Sequence, residues 1–288
     1  MQAENSRKLR GLRYLELSPC AGLRRHVECF WFLCDAGEPL PHAVERIIPD
    51  GCTELIVHLD EPFERLTGRG FERQDRAFLI GQLDQFILLR PAHEVDTVGV
   101  RFKPAGARRF FREPAHGLAG SFVSLADVWG ARAPRLLEQL HEAGSPAGRA
   151  RVLERALLET LREDADAVVA GAVSWILRQE GRVGVALTAR HAGLSERSLE
   201  RRFRSELGLG PKAFARIIRL QGVLRAIGGQ PRPDWADVAA EGSFFDQPHL
   251  IREFKALTGE TPAEFVKNQG RLSMNFTDPA RLAALLAG

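Results

Sequence analysis

One pattern occurs twice between residues 185 and 267, and it constrains the chain more than anything else in it. In the first copy, ALTARHAGLSERSLERRFRSELGLGPKAF, the residues Leu199, Phe203, Gly208, Pro211 and Phe214 stand at fixed intervals. In the second, ADVAAEGSFFDQPHLIREFKALTGETPAEF, the residues Leu250, Phe254, Gly259, Pro262 and Phe265 each follow their counterparts by 51 positions. A spacing shared by five positions marks an internal repeat, so the stretch is expected to fold as two copies of one unit.

Each copy reads as a short helix, a tight turn and a second helix of a kind that lies in a DNA major groove. In the first copy Gly193 supplies the turn, because glycine alone reaches positive φ without a Cβ clash. Ser195 is expected to cap the helix that follows, its side-chain oxygen accepting from a free amide of the first turn. Leu199, Phe203 and Leu207 then share one stripe, which turns Arg197, Glu200, Arg201 and Arg204 outward. A face with three arginines suits a groove walled by phosphate and floored by guanine N7 and O6 acceptors. In the second copy Pro248 fits the first turn, where its missing N–H costs nothing, and Leu250, Phe254 and Leu257 form the buried stripe. Gln247, His249 and Arg252 are left exposed. Glutamine can read adenine and arginine guanine, while histidine serves a base or a phosphate.

The doubled motif, the L-x-x-x-F core of each second helix, the G-x-x-P ending and the helix joining the copies resemble the DNA-binding domain of the AraC/XylS family of transcriptional regulators. The resemblance implies two helix-turn-helix units joined by one long helix and reading successive major-groove segments of double-stranded DNA, roughly 34 Å apart. It makes Arg197, Glu200 and Arg201, then Gln247, His249 and Arg252, the base-contact candidates, with Arg204 on the same outward face. Two departures stand out. Ser243 occupies the place where the family usually has its turn glycine, with Gly242 one position earlier, so a shifted second turn is expected. Pro248 replaces a small polar residue and removes one phosphate donor. Charge also separates the copies: residues 171–230 hold 11 Arg/Lys against 4 Asp/Glu, and residues 231–270 hold 4 against 7. The first unit is therefore expected to dominate affinity and its salt dependence through counterion release. On the other face of the joining helix, Arg216, Arg219 and Arg225 read either as solvated or as phosphate contacts.

A length of 288 residues allows two domains, each able to bury a core. The expected division is a β-rich sensory and oligomerisation domain with closing helices over residues 1–165, the reader over 166–270, and a tail over 271–288. Short apolar runs punctuated by Gly, Pro and Asp predict strands at Glu28–Cys34, Val44–Ile48, Glu54–Leu59, Phe78–Ile80, Phe86–Leu89 and Val95–Phe102. Pro49-Asp50-Gly51 suggests a hairpin between the second and third of these. Strands so spaced suggest a sandwich or barrel. The segments ERIIPDGCTELIVHL and VGVRFKPAGARRFF resemble the sensory domain ahead of some AraC-type readers, which implies a cupin-like barrel and an α+β chain overall. Helices are expected at Ala105–Arg112, Pro134–His141 and Arg149–Arg162. In the last, Leu153, Leu157 and Leu161 form a stripe that packs either on its own sheet or on a second copy, and the resemblance raises the homodimer.

Arg46, Glu54, Arg90 and Arg101 are candidates to face a polar ligand or to pair internally, and no effector site is located by sequence. Cys20, Cys29, Cys34 and Cys52 match no metal spacing, and they read as reduced buried thiols or, alternatively, as a redox or metal sensor if two lie close and partly exposed. His42, His58 and His93 are scattered singly, so no metal or other cofactor is expected. No catalytic motif occurs, and the chain is expected not to be an enzyme. It opens without an apolar leader and has no run of eighteen apolar residues, which predicts a cytoplasmic protein away from membranes. The expected function is a sequence-specific transcriptional regulator under a small-molecule effector, with RNA polymerase a further partner. The alternatives are a redox- or metal-responsive regulator, or an effector-independent DNA-binding dimer. Phe203→Ala should cost about 3–5 kcal/mol in folding stability by emptying the core of the first unit; a variant that denatures at the parent's midpoint contradicts that placement.

Overall fold

The computed structural model describes residues 3–9, 11–35, 44–111, 117–162, 166–228, 230 and 232–267. The expected tail and His42 lie outside them. Two compact units emerge: the first comprises Met1–Val44, Cys52–Gly81 and Leu88–Ala165, the second Glu45–Gly51, Gln82–Ile87 and Asp166–Gly288.

The first unit is an antiparallel β structure closed by helices. Among the described residues its main sheet carries seven strands in the order β1 (Ala3–Leu9), β2 (Leu12–Leu17), β3 (Val27–Asp35), β10 (Asp96–Phe102), β5 (Thr53–His58), β8 (Ala77–Ile80) and β11 (Phe122–Ser124). A second sheet sets β6 (Glu64–Thr67) between β7 (Gly70–Arg73) and β9 (Ile87–Arg90). Of the barrel and sandwich alternatives, the pairing is therefore that of two antiparallel sheets. Its centre is β10, flanked by β3 and β5. Val98 and Val100 alternate with Gly99, which faces Trp31 across the ladder; a side chain there would strike the indole. Phe30, Phe32, Leu55, Val57, Val98, Val100 and Phe102 form the core face.

That face is covered by α1 (Leu125–Trp129), α2 (Arg132–Ala143) and α3 (Pro146–Leu158). Ser145 caps α3 by accepting from the Gly148 N–H at 3.2 Å, so the helix starts earlier than its apolar stripe suggests and ends at Leu158. Leu153 and Leu157 are 1% and 0% exposed inside the unit's own core. Leu153 and Leu157 of the stripe thus pack on their own sheet, while Leu158 beside them is 47% exposed. The predicted hairpin at Pro49–Gly51 is also corrected. Gly51 does turn, with φ +82°, but β5 pairs with β10 and β8, so β4 (Glu45–Ile47) and β5, on either side of that turn, are not neighbours. Of the helix expected at residues 105–112 only one 3₁₀ turn forms, Ala107–Arg109, because Phe110 and Phe111 are drawn in against Phe102 at ring distances of 5.3 and 5.7 Å.

Charged residues of the first unit pair with one another. Arg101 meets Glu54 opposite it on the ladder at 2.6 Å, and Arg90 meets Glu64 at 2.7 Å, which is the internal-pair reading of three of the four ligand candidates. Cys29 and Cys34 lie five residues apart on β3, about 16 Å along the strand, too far to bridge. All four cysteines are free, and burial pushes the Cys34 thiol up from its ordinary value, away from the reactive thiolate. Among the described residues no group of three His, Cys, Asp or Glu is placed to hold a metal ion. No described helix is long and apolar enough to cross a membrane.

Among the described residues the second unit holds seven helices: α4 (Ala167–Arg178), α5 (Val185–His191), α6 (Glu196–Leu207), α7 (Pro211–Ile227), α8 (Trp235–Glu241), α9 (Gln247–Thr258) and α10 (Pro262–Lys267). Asp166 starts it, accepting from the amides of Val168 and Val169 while pairing with Arg202 at 3.1 Å. The joining helix α7 is buried on more than the one face its sequence shows. Leu220, Val223 and Ile227 are covered as well as Phe214, Ile217, Ile218, Gln221 and Leu224.

His58, one of the scattered histidines, is a core residue of the first unit. It is 2% exposed, with Nδ1 at 3.0 Å from Thr97 Oγ1 and Nε2 at 3.2 Å from Gln74 Oε1. Burial pushes its pKa down to about 4. A folded pKa below the unfolded one places the associated stability above pH 6.5 and removes it as pH falls toward 4, up to roughly 3 kcal/mol. Wild type should therefore lose denaturation midpoint over that window and His58→Gln should lack that part of the loss; parallel curves contradict the assignment.

Candidate nucleic-acid interface

The two helix-turn-helix units are built alike, with one difference. In the first, Gly193 takes φ +67° after α5, and the Leu194 N–H donates to the Ala189 carbonyl at 2.9 Å. Ser195 then caps α6, accepting from Ser198 N–H at 3.2 Å. Leu199, Phe203 and Leu207 are buried, as their stripe requires. In the second unit Ser243 takes φ +54° after α8, and the Phe244 N–H donates to Ala239 at 2.9 Å. The turn is thus conserved in geometry at an offset of 50, not displaced onto Gly242. The caps differ by 51, since Asp246 accepts from His249 N–H at 2.7 Å and starts α9. One residue is therefore extra between turn and cap. It is Phe245, and the mismatch of the two offsets was the sequence signal for it.

The predicted contact residues fall into two groups. Arg197, Arg201, Gln247 and Arg252 are exposed and have no ion pair or side-chain hydrogen bond among the described residues. Arg204 is exposed too but pairs with Glu200 at 2.9 Å one turn back. The Glu200 carboxylate also lies against Gly210, so it is the first-unit candidate most committed to partners within the protein. His249 is half-buried: its Nδ1 accepts from the Phe245 N–H at 3.3 Å and its ring meets Phe244 edge-on at 5.6 Å. Nε2 is its remaining polar atom, which makes the residue a builder of the turn as well as a candidate donor.

Two further sets of contacts hold α7 and α9. From α7, Arg216 pairs with Glu253 at 2.6 Å and Arg219 lies over Phe244 at 4.9 Å. Arg225 pairs with Glu180 at 2.7 Å. The basic face of α7, read as solvated or phosphate-bound, is therefore engaged inside the unit. From the non-helical segments, Arg46 donates to the Thr258 carbonyl at 2.6 Å, pairs with Glu260 at 3.5 Å and stacks on Phe86 at 4.4 Å. A cation at the carbonyl end of α9 is favourable to the helix dipole. A side chain at Gly259 would collide with both Arg46 and Phe86. Gln221 of α7 donates to the Pro49 carbonyl at 2.7 Å. These partners are remote in sequence, and no local pattern marks Arg46 or Gln221 for the role.

Residues 188–268 match the helix-turn-helix domain family that spans both units, and the doubled L-x-x-x-F helices stand within them. That segment is an AraC-type helix-turn-helix domain. The regulator's residues 15–124 match a domain of unknown function (DUF6597). No curated protein matches its sequence. Among solved structures it is similar to ToxT from Vibrio cholerae at 10% identity and TM-score 0.46, over 78% of this chain and 97% of that one. ToxT from Vibrio cholerae O395 bound to (E)-4-(8-methylnaphthalen-1-yl)but-3-enoic acid gives 10% identity and TM-score 0.44 over 78% and 97%. The AraC-like transcriptional activator CuxR gives 11% and 0.25, over 75% and 79%. The assignment of residues 188–268 rests on the repeat and the helix-turn-helix match, not on these likenesses of outline.

The two turns provide a clean comparison of backbone cost. Nothing lies within 4 Å of a Cβ placed on Gly193, so Gly193→Ala carries only the left-handed penalty, about 1–2 kcal/mol. Ser243→Gly removes the same penalty and should stabilise by about 0.5–1 kcal/mol. Unfolding midpoints that move the other way in either variant contradict the shared turn geometry.

Proposed function

We propose that this AraC/XylS-type regulator reads DNA in a sequence-specific manner through α6 and α9, which enter two successive major-groove segments. The observation that carries this reading is the pair of capped helices on one buried connector, each with exposed side chains that have nothing to bond inside the protein. Arg197 and Arg201 supply guanine and phosphate contacts from the first unit, with Arg204 behind them; Gln247 and Arg252 supply adenine and guanine contacts from the second, with His249 Nε2 as a further donor. Glu200 orients Arg204.

Control by a small-molecule effector in the first unit would run through residues 45–51 and 82–87. In the chain, β5 begins two residues after Gly51, and the segment Gln82–Ile87 separates β8 from the body of β9. A shift of those strands pulls on Arg46 and Pro49, and so on the last turn of α9 and the middle of α7. That gives two arrangements whose balance an effector can bias. The homodimer and a contact with RNA polymerase remain part of the proposal without a surface assigned to either, and no catalytic role is proposed.

Arg201→Ala should cost about 1–3 kcal/mol on the preferred duplex and relax the preference at one base pair, as read by competition binding over single-base variants. An equal loss on every sequence reassigns Arg201 to phosphate. Arg46→Ala should weaken binding several-fold and leave the base preference intact; unchanged affinity removes the proposed route of control.

A further inference from the structure

We infer that Phe245 is a specificity-determining residue of the second unit, which reads thymine by apolar contact with its C5 methyl group. Its ring is 92% exposed, about twice any other large apolar side chain among the described residues. Burying a phenylalanine is worth about 1.5–3 kcal/mol, so leaving one in water forgoes that gain unless a partner supplies it.

The position is fixed. The Phe245 N–H is held by His249 Nδ1 at 3.3 Å, and the next residue, Asp246, closes the first turn of α9 by accepting from the His249 N–H at 2.7 Å. Behind it, Phe244 is pinned between the His249 ring and the Arg219 guanidinium. The turn of the first unit has no counterpart, because the extra residue occurs only in the second. Phe245 therefore stands at the amino end of α9, the end of a reading helix whose residues meet base edges, two positions before the exposed Gln247. A phenyl ring has nothing to offer phosphate. The apolar group on the floor of the major groove is the thymine methyl. With Gln247 suited to adenine, this end of α9 is built for A·T pairs, whereas the arginines of α6 favour guanine. The inference rests on α9 being a reading helix.

The test uses the full chain. A preferred duplex is first selected from a random pool by the wild-type protein, and each thymine in the second half is then replaced singly by deoxyuridine, which removes only the methyl group. Wild type should bind about fourfold more weakly at one or two of these positions, the loss expected for one methyl left uncovered. Phe245→Ala and Phe245→Ser should bind thymine and uracil duplexes alike, and Phe245→Leu should keep part of the difference. Arg201→Ala should bind more weakly yet keep it in full. Unfolding midpoints of the Phe245 variants should match wild type, since the ring packs against nothing. Selective binding by wild type that tolerates uracil everywhere overturns the inference. So does a methyl dependence that survives in Phe245→Ala, or a loss equal on all sequences, which would mark the ring's contribution as independent of sequence. If wild type selects no sequence, the reading of α6 and α9 has itself failed, and the inference falls with it.

Discussion

The second unit depends on the burial of α7. Its apolar residues are covered over most of its circumference, from Phe214 through Leu224 to Ile227. The short helices around it, α5 and α8 with 7 residues each, are well below the length at which an isolated helix holds together in water. They exist because packing makes them, α5 on α4 and α6, α8 on α7 and α9. One rod therefore does two things at once: it supplies the core of both helix-turn-helix units, and it sets the angle and distance between their exposed faces. The ion pairs along it, Arg216 with Glu253 and Arg225 with Glu180, are part-exposed, and pairs of that kind contribute at most about 1 kcal/mol each. Their effect lies in register, since each ties α7 to one particular neighbour.

On that rod the two faces have been given different chemistry. The first carries unpaired arginines on α6 and an excess of positive charge around them. The second carries a glutamine, a half-buried histidine, one arginine and an exposed phenyl ring, within a stretch that is net acidic. Attraction to phosphate is long-ranged and indifferent to sequence, while hydrogen bonds and methyl contacts act only at the base edge. On the proposed reading, labour is divided between one unit that holds the duplex and another that discriminates along it.

Much of this was legible in the residues. The stripe Leu199, Phe203, Leu207 and the cap Ser195 follow from periodicity and hydrogen-bonding capacity within one helix, and both are found where expected. The second turn was harder, because a serine at positive φ carries no sign of its conformation; only the unequal offsets of turn and cap betray the inserted Phe245. In the first unit the buried strands β3, β5, β8 and β10 were readable as apolar runs. β6 and β7 are short and part-exposed, and β1 has the polar sequence AENSRKL, so neither pattern existed to be read. The Leu153 stripe showed that something must cover α3 but not what. Arg46 was visible as a charge, but its bond to Thr258 crosses 212 positions, which no local rule reaches.

The central claim is that α7 holds the two reading faces at one fixed separation matched to B-form DNA. It is tested most directly by hydroxyl-radical footprinting on duplexes in which the spacing between the two contacted segments is varied. A rigid connector predicts protection of both segments on one face of the helix, about one turn apart, and loss of the second segment's protection when about five base pairs are inserted between them. Protection of both segments at every spacing would show that the units turn independently, and would contradict the account.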